Sequence, residues 1–299
     1  MRPLLIALLA VAGLALGPVL RALIVRLSVP SGEPWRRSCP ACDSPLPPTR
    51  RLSEPVAAPP ARGVYEPGIC EPVAAPPTRG VGAVVPPAPD AAATASHRRA
   101  ALAALPVLPP TGRCPACRAR LGPPALTVEV STAVLLGLLA ARIHPGLVLA
   151  AACWLAVCTV PLAYIDAATR RLPDLLTGPA FAGTAALLLA AAAAGGHWST
   201  LGRALLGGAA FAAFCLLLLI ISPSGLGPGD VKLAASLGLA LAWLGWGTLI
   251  AGALAGFLLA AGYGVVLLAR GRASRKTQLP FGPFMIAGTF LALVITGLG

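Results

Sequence analysis

Long apolar runs separated by short polar breaks are the main pattern of this chain. A helix that spans a bilayer needs about 20 mostly apolar residues. The runs that meet or approach this length cover residues 4–25, 126–141, 147–165, 175–194, 204–221, 233–244, 248–269 and 281–298. The pattern therefore predicts an all-α polytopic membrane protein with about eight transmembrane helices and a large loop after the first.

The number of spans and the nature of the first run each have an alternative interpretation. Residues 233–269 contain no charged side chain and are too long for one helix. We therefore expect a break at Trp243-Leu-Gly-Trp246-Gly, with both tryptophans at the membrane interface. A seven-helix count is the main alternative. The first run resembles a signal peptide, but it continues past Gly17 into Pro18, and we interpret it as a retained span.

Composition and charge agree with a membrane protein. The chain is 57% hydrophobic and 11% charged, whereas a soluble domain has about 25% charged residues. This balance excludes a soluble enzyme and a disordered tail protein. Lys and Arg outnumber Asp and Glu by 23 to 10, but they lie between the apolar runs, as in basic cytoplasmic loops. The expected partners therefore include the lipid bilayer and exclude nucleic acid.

The same basic residues predict the orientation of the spans. With eight spans, the side that receives the ends of the 28–125 loop carries most of the basic residues, and that side is expected to be cytoplasmic. Its basic residues are Arg26, Arg170, Arg171, Lys232, Arg270, Arg272, Arg275 and Lys276, against Arg2, Arg142 and Arg203 on the other side.

Three regions follow from this reading. Residues 1–27 form the first transmembrane helix, 28–125 a cytoplasmic loop, and 126–299 a membrane-embedded domain. Within the loop, residues 45–100 approximately are rich in Pro, Ala and Arg, and the stretch that begins at Glu54 nearly repeats at Glu71. Such composition favours extended, solvated chain. We predict a disordered insertion without chemistry of its own.

Two identical cysteine pairs lie in the cytoplasmic loop, Cys39-Pro-Ala-Cys42 and Cys114-Pro-Ala-Cys117. Two thiolates at this spacing can bind one tetrahedral zinc ion. A disulfide is the alternative, and the reducing cytoplasm disfavours it. The pattern therefore predicts a structural zinc knuckle. The remaining cysteines are expected to have no ligand role, namely Cys70 in the insertion and Cys153, Cys158 and Cys215 in apolar spans.

Two aspartates at the predicted cytoplasmic boundary are the candidate catalytic residues. Asp166 ends the third span and Asp230 opens the sixth. Two such carboxylates can share one proton, one as general acid and one to activate water. Gly227 and Gly229 remove side chains beside Asp230 and would let an extended peptide backbone approach.

Each aspartate also has a purely structural interpretation. Asp230 suits a helix N-cap, and Asp166 suits a salt bridge to Arg170 or Arg171. Asp174 is expected to be the N-cap of the fourth span, because a proline precedes it. A further acidic residue, Glu129, lies just inside the second span without an assigned role. We favour a catalytic role for Asp166 and Asp230, because both are predicted to lie on the same face of the membrane.

These motifs resemble those of the type IV prepilin peptidases, aspartyl proteases of pilus assembly and type II secretion. The motif of the first aspartate matches Asp166 through Leu172-Pro-Asp174, and the Gly-x-Gly-Asp motif matches residues 227–230, followed by Val-Lys. Pro-Phe-Gly-Pro-Phe at 280–284, Gly-Pro-Val-Leu at 17–20 and the cysteine loop also match. The chain departs from the family pattern at Ala168, at Arg21 and in the length of its loop.

The resemblance implies a function for each motif. Asp166 and Asp230 would cleave the basic leader of prepilins or pseudopilins at the face of the bacterial cytoplasmic membrane. Members with the cysteine loop also N-methylate the new N-terminus with S-adenosylmethionine, and other pilus or secretion assembly proteins are possible partners. From the residues alone, a proton- or cation-coupled transporter and a zinc-binding membrane scaffold are the alternatives.

Overall fold

The computed structural model of the chain describes residues 2–29, 35–42, 44, 112–114, 116–222, 225–271 and 279–297. Over these residues it is all-α apart from isolated bridge positions, such as the pairing of Arg113 with Arg120. The predicted insertion at 45–100, Cys70 and the basic stretch at 272–276 lie outside the described residues. The predicted fold class is thus confirmed for the part of the chain that can be described.

Eight helices occur in this part, and each overlaps one predicted span. They are α1 Arg2–Leu27, α2 Thr127–Arg142, α3 Leu147–Thr169, α4 Asp174–Gly195, α5 Trp198–Ile221, α6 Pro228–Leu244, α7 Trp246–Ala269 and α8 Gly282–Thr296.

Five of these helices, α1, α3, α4, α5 and α7, are long and apolar enough to cross a membrane. The chain is therefore a multi-pass membrane protein. The other three, α2, α6 and α8, have 16, 17 and 15 residues. At 1.5 Å per residue they measure only about 22–26 Å, less than the ~30 Å hydrocarbon core. The count of eight full spans therefore stays a prediction.

The predicted break between the sixth and seventh spans is confirmed. Helix α6 ends at Leu244, α7 begins at Trp246, and Gly245 between them has φ 153° and ψ 164°. That backbone region is essentially restricted to glycine. The two tryptophans differ in their surroundings, because Trp243 is buried against α5 and neighbouring helices while Trp246 is exposed.

Contacts between helix ends show that successive helices alternate in direction. The end of α3 meets the start of α8 through Asp166 and Gly282, and the starts of α4 and α6 meet through Asp174 and Lys232. We call this end, which holds Asp166 and Asp230, the carboxylate end. At the opposite end, Arg203 near the start of α5 donates hydrogen bonds to the last carbonyls of α6. The termini of α2 and α8 also meet there.

Helix α3 lies in the core, where Leu155, Leu162 and Ile165 are fully buried. Its neighbours in the main hydrophobic cluster include residues of α1, α2, α6 and α8. Elsewhere glycines let helix backbones come into contact. A Cβ on Gly288 of α8 would lie 2.3 Å from the backbone nitrogen of Gly256 in α7. This close approach fixes α8, whose first residue contacts Asp166.

A bulky residue at this crossing should separate the two helices. We predict that Gly288→Val lowers stability by about 1–3 kcal/mol or more, because the added methyl groups have no space. Thermal unfolding of the purified protein in detergent measures the loss. Gly262→Val on α7 is the matched control, because a Cβ there meets nothing within 4 Å. Equal stability of the two variants would contradict the observed crossing.

Candidate active site

Asp166 lies one turn before the end of α3 and is 4% exposed. Helix α3 ends when Arg170 adopts a left-handed conformation and its N–H bonds the carbonyl of Asp166. The carboxylate oxygen Oδ2 of Asp166 accepts a hydrogen bond of 3.0 Å from the N–H of Gly282. A Cβ on Gly282 would lie 2.8 Å from that oxygen. Glycine is therefore needed for the backbone of α8 to reach the carboxylate.

Asp230 lies in the first turn of α6 and is 6% exposed. Its Oδ2 accepts a hydrogen bond of 2.8 Å from the N–H of Gly227, while its Oδ1 is buried without a partner among the described residues. A carboxylate near a helix N-terminus is favoured by the free N–H groups there. The alternative interpretation of Asp230 as an N-cap does not hold, because Gly227 is the N-cap and Asp230 is the third residue of the helix.

The fold brings the two aspartates together at the carboxylate end. Gly282 at the start of α8 bonds Asp166, and Asp230 lies in the first turn of α6, so both carboxylates lie at the same end of the bundle. The turns that carry them also touch, since a Cβ on Gly229 would lie 2.7 Å from Cβ of Leu172. The salt bridge considered for Asp166 is not observed among the described residues, whose ion pairs are Arg21–Glu129 and Lys232–Asp174.

The two glycines of the Gly-x-Gly-Asp motif differ in their surroundings. Leu172 fills the space beside Gly229, so this glycine permits the contact between the two turns. Gly227 is less crowded, and the nearest atom to an added Cβ is Oδ2 of Asp230 at 3.6 Å. The role of both residues in substrate approach stays a prediction.

Asp174 is not the N-cap of α4, contrary to expectation. Pro173 is the N-cap, and Asp174 is the first residue of the helix without a side-chain capping bond. Its Oδ1 instead accepts a 2.6 Å hydrogen bond from Nζ of Lys232 on α6. Both side chains are more than half exposed. This pair joins α4 to α6. The sequence pattern did not predict it, because the two residues lie far apart in the chain.

Glu129 acquires a partner that the sequence did not indicate. Its two carboxylate oxygens accept hydrogen bonds of 2.9 and 2.6 Å from Nε and Nη2 of Arg21 on α1. The pair is almost fully buried, and Arg21 also donates to the carbonyl of Pro123. Bidentate hydrogen bonding of this kind is the strong form of an arginine–carboxylate ion pair. Arg21, a departure from the family pattern, thus ties α1 to α2 and to the end of the cysteine loop.

The four predicted zinc ligands form one cluster. The Sγ atoms of Cys39, Cys42, Cys114 and Cys117 all lie within 4.8 Å of one another. The pairs Cys39–Cys117 and Cys42–Cys114 are separated by 3.7 and 3.8 Å. Tetrahedral zinc with Zn–S bonds of about 2.3 Å requires Sγ atoms about 3.8 Å apart. The cluster therefore fits zinc.

The chemistry of the cluster also suits a metal. All four cysteines are free thiols, so the disulfide alternative is not observed. Hydrogen bonds lower the pKa of the Cys114 thiol to about 6, and the largest contribution comes from the Ser44 hydroxyl, which lies 3.5 Å from its Sγ. Thiolate is the form that binds metal. Cys39 and Cys114 are buried against Ala22 and Val25 of α1, so the cluster is attached to the first helix.

The other cysteines agree with their predicted roles in the apolar spans. Cys158 and Cys215 are buried members of the main hydrophobic cluster, and Cys153 packs against its edge. None of the three belongs to the metal-type cluster.

Comparisons with known proteins place this arrangement in a family. The sequence pattern of the type IV leader peptidase family matches residues 147–265, which include Asp166 and Asp230. A Pseudomonas putida protein is 32% identical over 209 residues, which make up 66% of this chain and 69% of the relative. The chain belongs to the type IV leader peptidase family.

Other members of the family show similar agreement. A relative from Aeromonas salmonicida is 33% identical over 188 residues, 61% of this chain and 62% of that protein. A Burkholderia pseudomallei relative is 35% identical over 183 residues, which make up 59% of this chain and 56% of that protein. All three are named prepilin leader peptidase/N-methyltransferase. The chain thus spans between 56% and 69% of the length of these curated relatives. No solved structure matches it.

The cysteine cluster leads to a metal prediction. We expect the purified protein to hold about one zinc ion per chain, and Cys39→Ser or Cys114→Ser to lose it, because three thiolates bind zinc less well than four. Acidification should also release the metal, since the thiols must stay deprotonated. Metal analysis by mass spectrometry measures the content. Cys153→Ser, outside the cluster, should keep the zinc, and a metal-free wild-type protein would contradict the assignment.

Proposed function

We propose that this protein is a membrane aspartyl endopeptidase that removes the leader of prepilin or pseudopilin precursors. The observation that carries the proposal is the placement of Asp166 and Asp230, two buried carboxylates from separate helices, at one end of the bundle on turns that touch. A buried ionisable pair without neutralising partners is costly and points to function. The names of the relatives support the substrate class.

The surroundings of the pair suit general acid–base chemistry. One carboxylate, ionised, takes a proton from water as the water attacks the peptide carbonyl, and the other, protonated, donates to the developing oxyanion. The tetrahedral intermediate then collapses as the leaving amide nitrogen gains a proton, and no covalent bond forms to the enzyme. Backbone N–H groups of Gly282 and Gly227 hold one oxygen of each carboxylate. Oδ1 of Asp230, which has no partner among the described residues, is available to bind the water or the shared proton.

We place this site at the cytoplasmic face of the bacterial cytoplasmic membrane. Arg170, Arg171 and Lys232 lie at the carboxylate end, whereas Arg142 and Arg203 lie at the opposite end. Basic residues concentrate on the cytoplasmic side of membrane proteins. Precursors would meet the site from the cytoplasm, before export, and other assembly proteins could take up the product.

A carrier function is less well supported. Coupling carboxylates of transporters lie near the membrane midplane, often at broken helices. Asp166 and Asp230 instead lie at helix ends. None of the relatives described above carries a transporter name.

The cysteine cluster supports a second step on the same product. The relatives' name includes an N-methyltransferase activity, and we propose that this chain transfers a methyl group from S-adenosylmethionine to the new N-terminus. Zinc held by the four cysteines would stabilise the fold of the 28–125 loop, and the residues that bind the methyl donor are unassigned. The domain division at 27 and 125 is part of this proposal, with peptidase residues confined to 126–299.

The proposed function predicts how substitutions of the two aspartates affect leader cleavage. Asp166→Asn and Asp230→Asn should each lower the rate of leader removal at least about a hundredfold, because an amide can neither ionise nor share a proton. The rate is measured on a purified prepilin in detergent, with thermal unfolding as a check on folding. Asp90→Asn makes the same chemical change in the insertion that the sequence predicts to have no chemistry of its own, and this variant should cleave normally. Cleavage by Asp230→Asn at the wild-type rate would exclude the mechanism.

A further prediction separates leader cleavage from N-methylation. Cys39→Ser should reduce methylation far more than cleavage, because loss of a zinc ligand unfolds the loop and not the membrane bundle. Mass spectrometry of one pilin product reports both reactions, and Cys153→Ser serves as the control. If cleavage fell in parallel with methylation, the loop would have to support the peptidase site as well.

A further inference from the structure

The buried ion pair between Arg21 and Glu129 has no part in the peptidase mechanism proposed above. Its side chains are 0% and 3% exposed. Burial of two charges is costly, and apolar side chains of similar size often stabilise a core equally well. A contribution to stability therefore does not by itself explain why an arginine lies at this position of α1.

The guanidinium of Arg21 contacts α2 and the cysteine loop at the same time. Its Nε and Nη2 donate hydrogen bonds to Glu129 in the first turn of α2. Its Nη1 donates a hydrogen bond of 2.8 Å to the carbonyl of Pro123, and a Cβ on Gly112 would lie 2.9 Å from the same nitrogen. Gly112 and Pro123 flank the second cysteine pair in the sequence. A planar group with five donors can serve both partners, so Arg21 holds this part of the loop against α1 and α2.

A small buried cluster joins the loop to the stretch of α1 directly after Arg21. Its members are Ala22, Val25, Cys39, Cys114 and Leu121. The N–H of Leu121 also donates a hydrogen bond of 2.8 Å to the carbonyl of Gly112, which closes the loop segment over this cluster. The arginine and the cluster therefore hold the same segment from neighbouring turns of one helix.

A tyrosine shows at which end of the bundle this segment lies. The hydroxyl of Tyr164 on α3 donates a hydrogen bond of 3.2 Å to the carbonyl of Thr127, the first residue of α2, and lies 3.3 Å from the hydroxyl of Ser131. Tyr164 precedes Asp166 by two residues. The start of α2, with Glu129, is therefore at the carboxylate end, and so is the cysteine cluster that Arg21 ties to it.

We propose that Arg21 and Glu129 are positioning residues for the methylation step. They hold the cysteine loop at the carboxylate end, where leader removal exposes the amine that is to be methylated. The proposal rests on the methyltransferase function given above. Both residues act through the loop and touch no reacting atom, so leader cleavage does not depend on them.

A double substitution separates this role from simple stabilisation. Arg21→Met/Glu129→Met removes both charges, so neither is left unpaired in the core. Methionine is unbranched and flexible, and it keeps the Cβ–Cγ stem with which Glu129 packs against Gly17. The variant loses the hydrogen bond from Arg21 to Pro123.

Thr132→Val is the matched control for the double variant. Thr132 is as fully buried in α2 as the ion pair, but its hydroxyl donates to the carbonyl of Val128 within the same helix. The substitution therefore removes a buried hydrogen bond without changing the contact between α2 and the loop.

Methylation and cleavage are measured on one purified prepilin with the full-length proteins in detergent. We expect the double variant to lower kcat/KM for methylation at least about tenfold, because a displaced site loses its reactive geometry. Its kcat/KM for cleavage should change less than about threefold, since no interaction with the reacting bond is removed. Thr132→Val should match the wild type in both reactions. Wild-type methylation by the double variant, or an equal loss of both activities, would overturn the proposal.

Hydrogen–deuterium exchange tests the anchoring without either activity. In the wild type the N–H groups of Cys114 and Leu121 are hydrogen-bonded within the loop. Peptides that cover 112–123 should exchange at least about tenfold faster in the double variant, because local opening sets the exchange rate, while peptides of α3 should exchange as in the wild type. Unchanged exchange at 112–123 would overturn the proposal.

The two measurements distinguish failure of this proposal from failure of the proposed methyltransferase function. If the wild type methylates no prepilin but exchange rises in the double variant, the anchoring stands and the methyltransferase assignment fails. If Cys39→Ser abolishes methylation while the double variant methylates and exchanges like the wild type, only the positioning role fails.

Discussion

Two carboxylates buried at one end of an apolar bundle need partners for their oxygens, and this requirement determines how the surrounding helices meet. A buried charge without compensation is unfavourable by several kcal/mol. Asp166 at the end of α3 accepts a hydrogen bond from the N–H of Gly282, the first residue of α8. Asp230 accepts one from the N–H of Gly227, which precedes α6. The first of these bonds joins α3 to α8, whereas the second lies within the turn that opens α6. In the proposed mechanism, the oxygen of Asp230 that has no partner among the described residues binds the reacting molecule.

Packing, rather than surface charge, holds this arrangement in place. The Asp174–Lys232 pair is largely exposed, and such pairs contribute only about 0–1 kcal/mol. The contact between Leu172 and Gly229 and the glycine crossing of α7 and α8 act directly on the backbone segments that carry the site. The buried Arg21–Glu129 pair has the corresponding role at the cysteine loop, because its loss would leave a charge in the core.

The sequence predicted those features that depend on local pattern. Apolar length predicted the helices, the length of the 233–269 run and its two tryptophans predicted the break near Gly245, and repeated spacing predicted the four-cysteine cluster. Contacts across helices were not predictable, because periodicity does not show which faces meet. The pairing of Arg21 with Glu129 belongs to this class. Asp174 was misassigned because an acidic residue after proline suits a cap, whereas the proline itself takes the N-cap position.

The pH dependence of kcat/KM for leader cleavage is the most direct test of the paired carboxylates. A pair that shares one proton has no base when both members are protonated and no acid when both are ionised. The account predicts a bell-shaped profile, with activity lost on both the acid and the alkaline side while the protein stays folded. A profile that is flat, or that falls on one side only, would contradict the proposal that Asp166 and Asp230 act together.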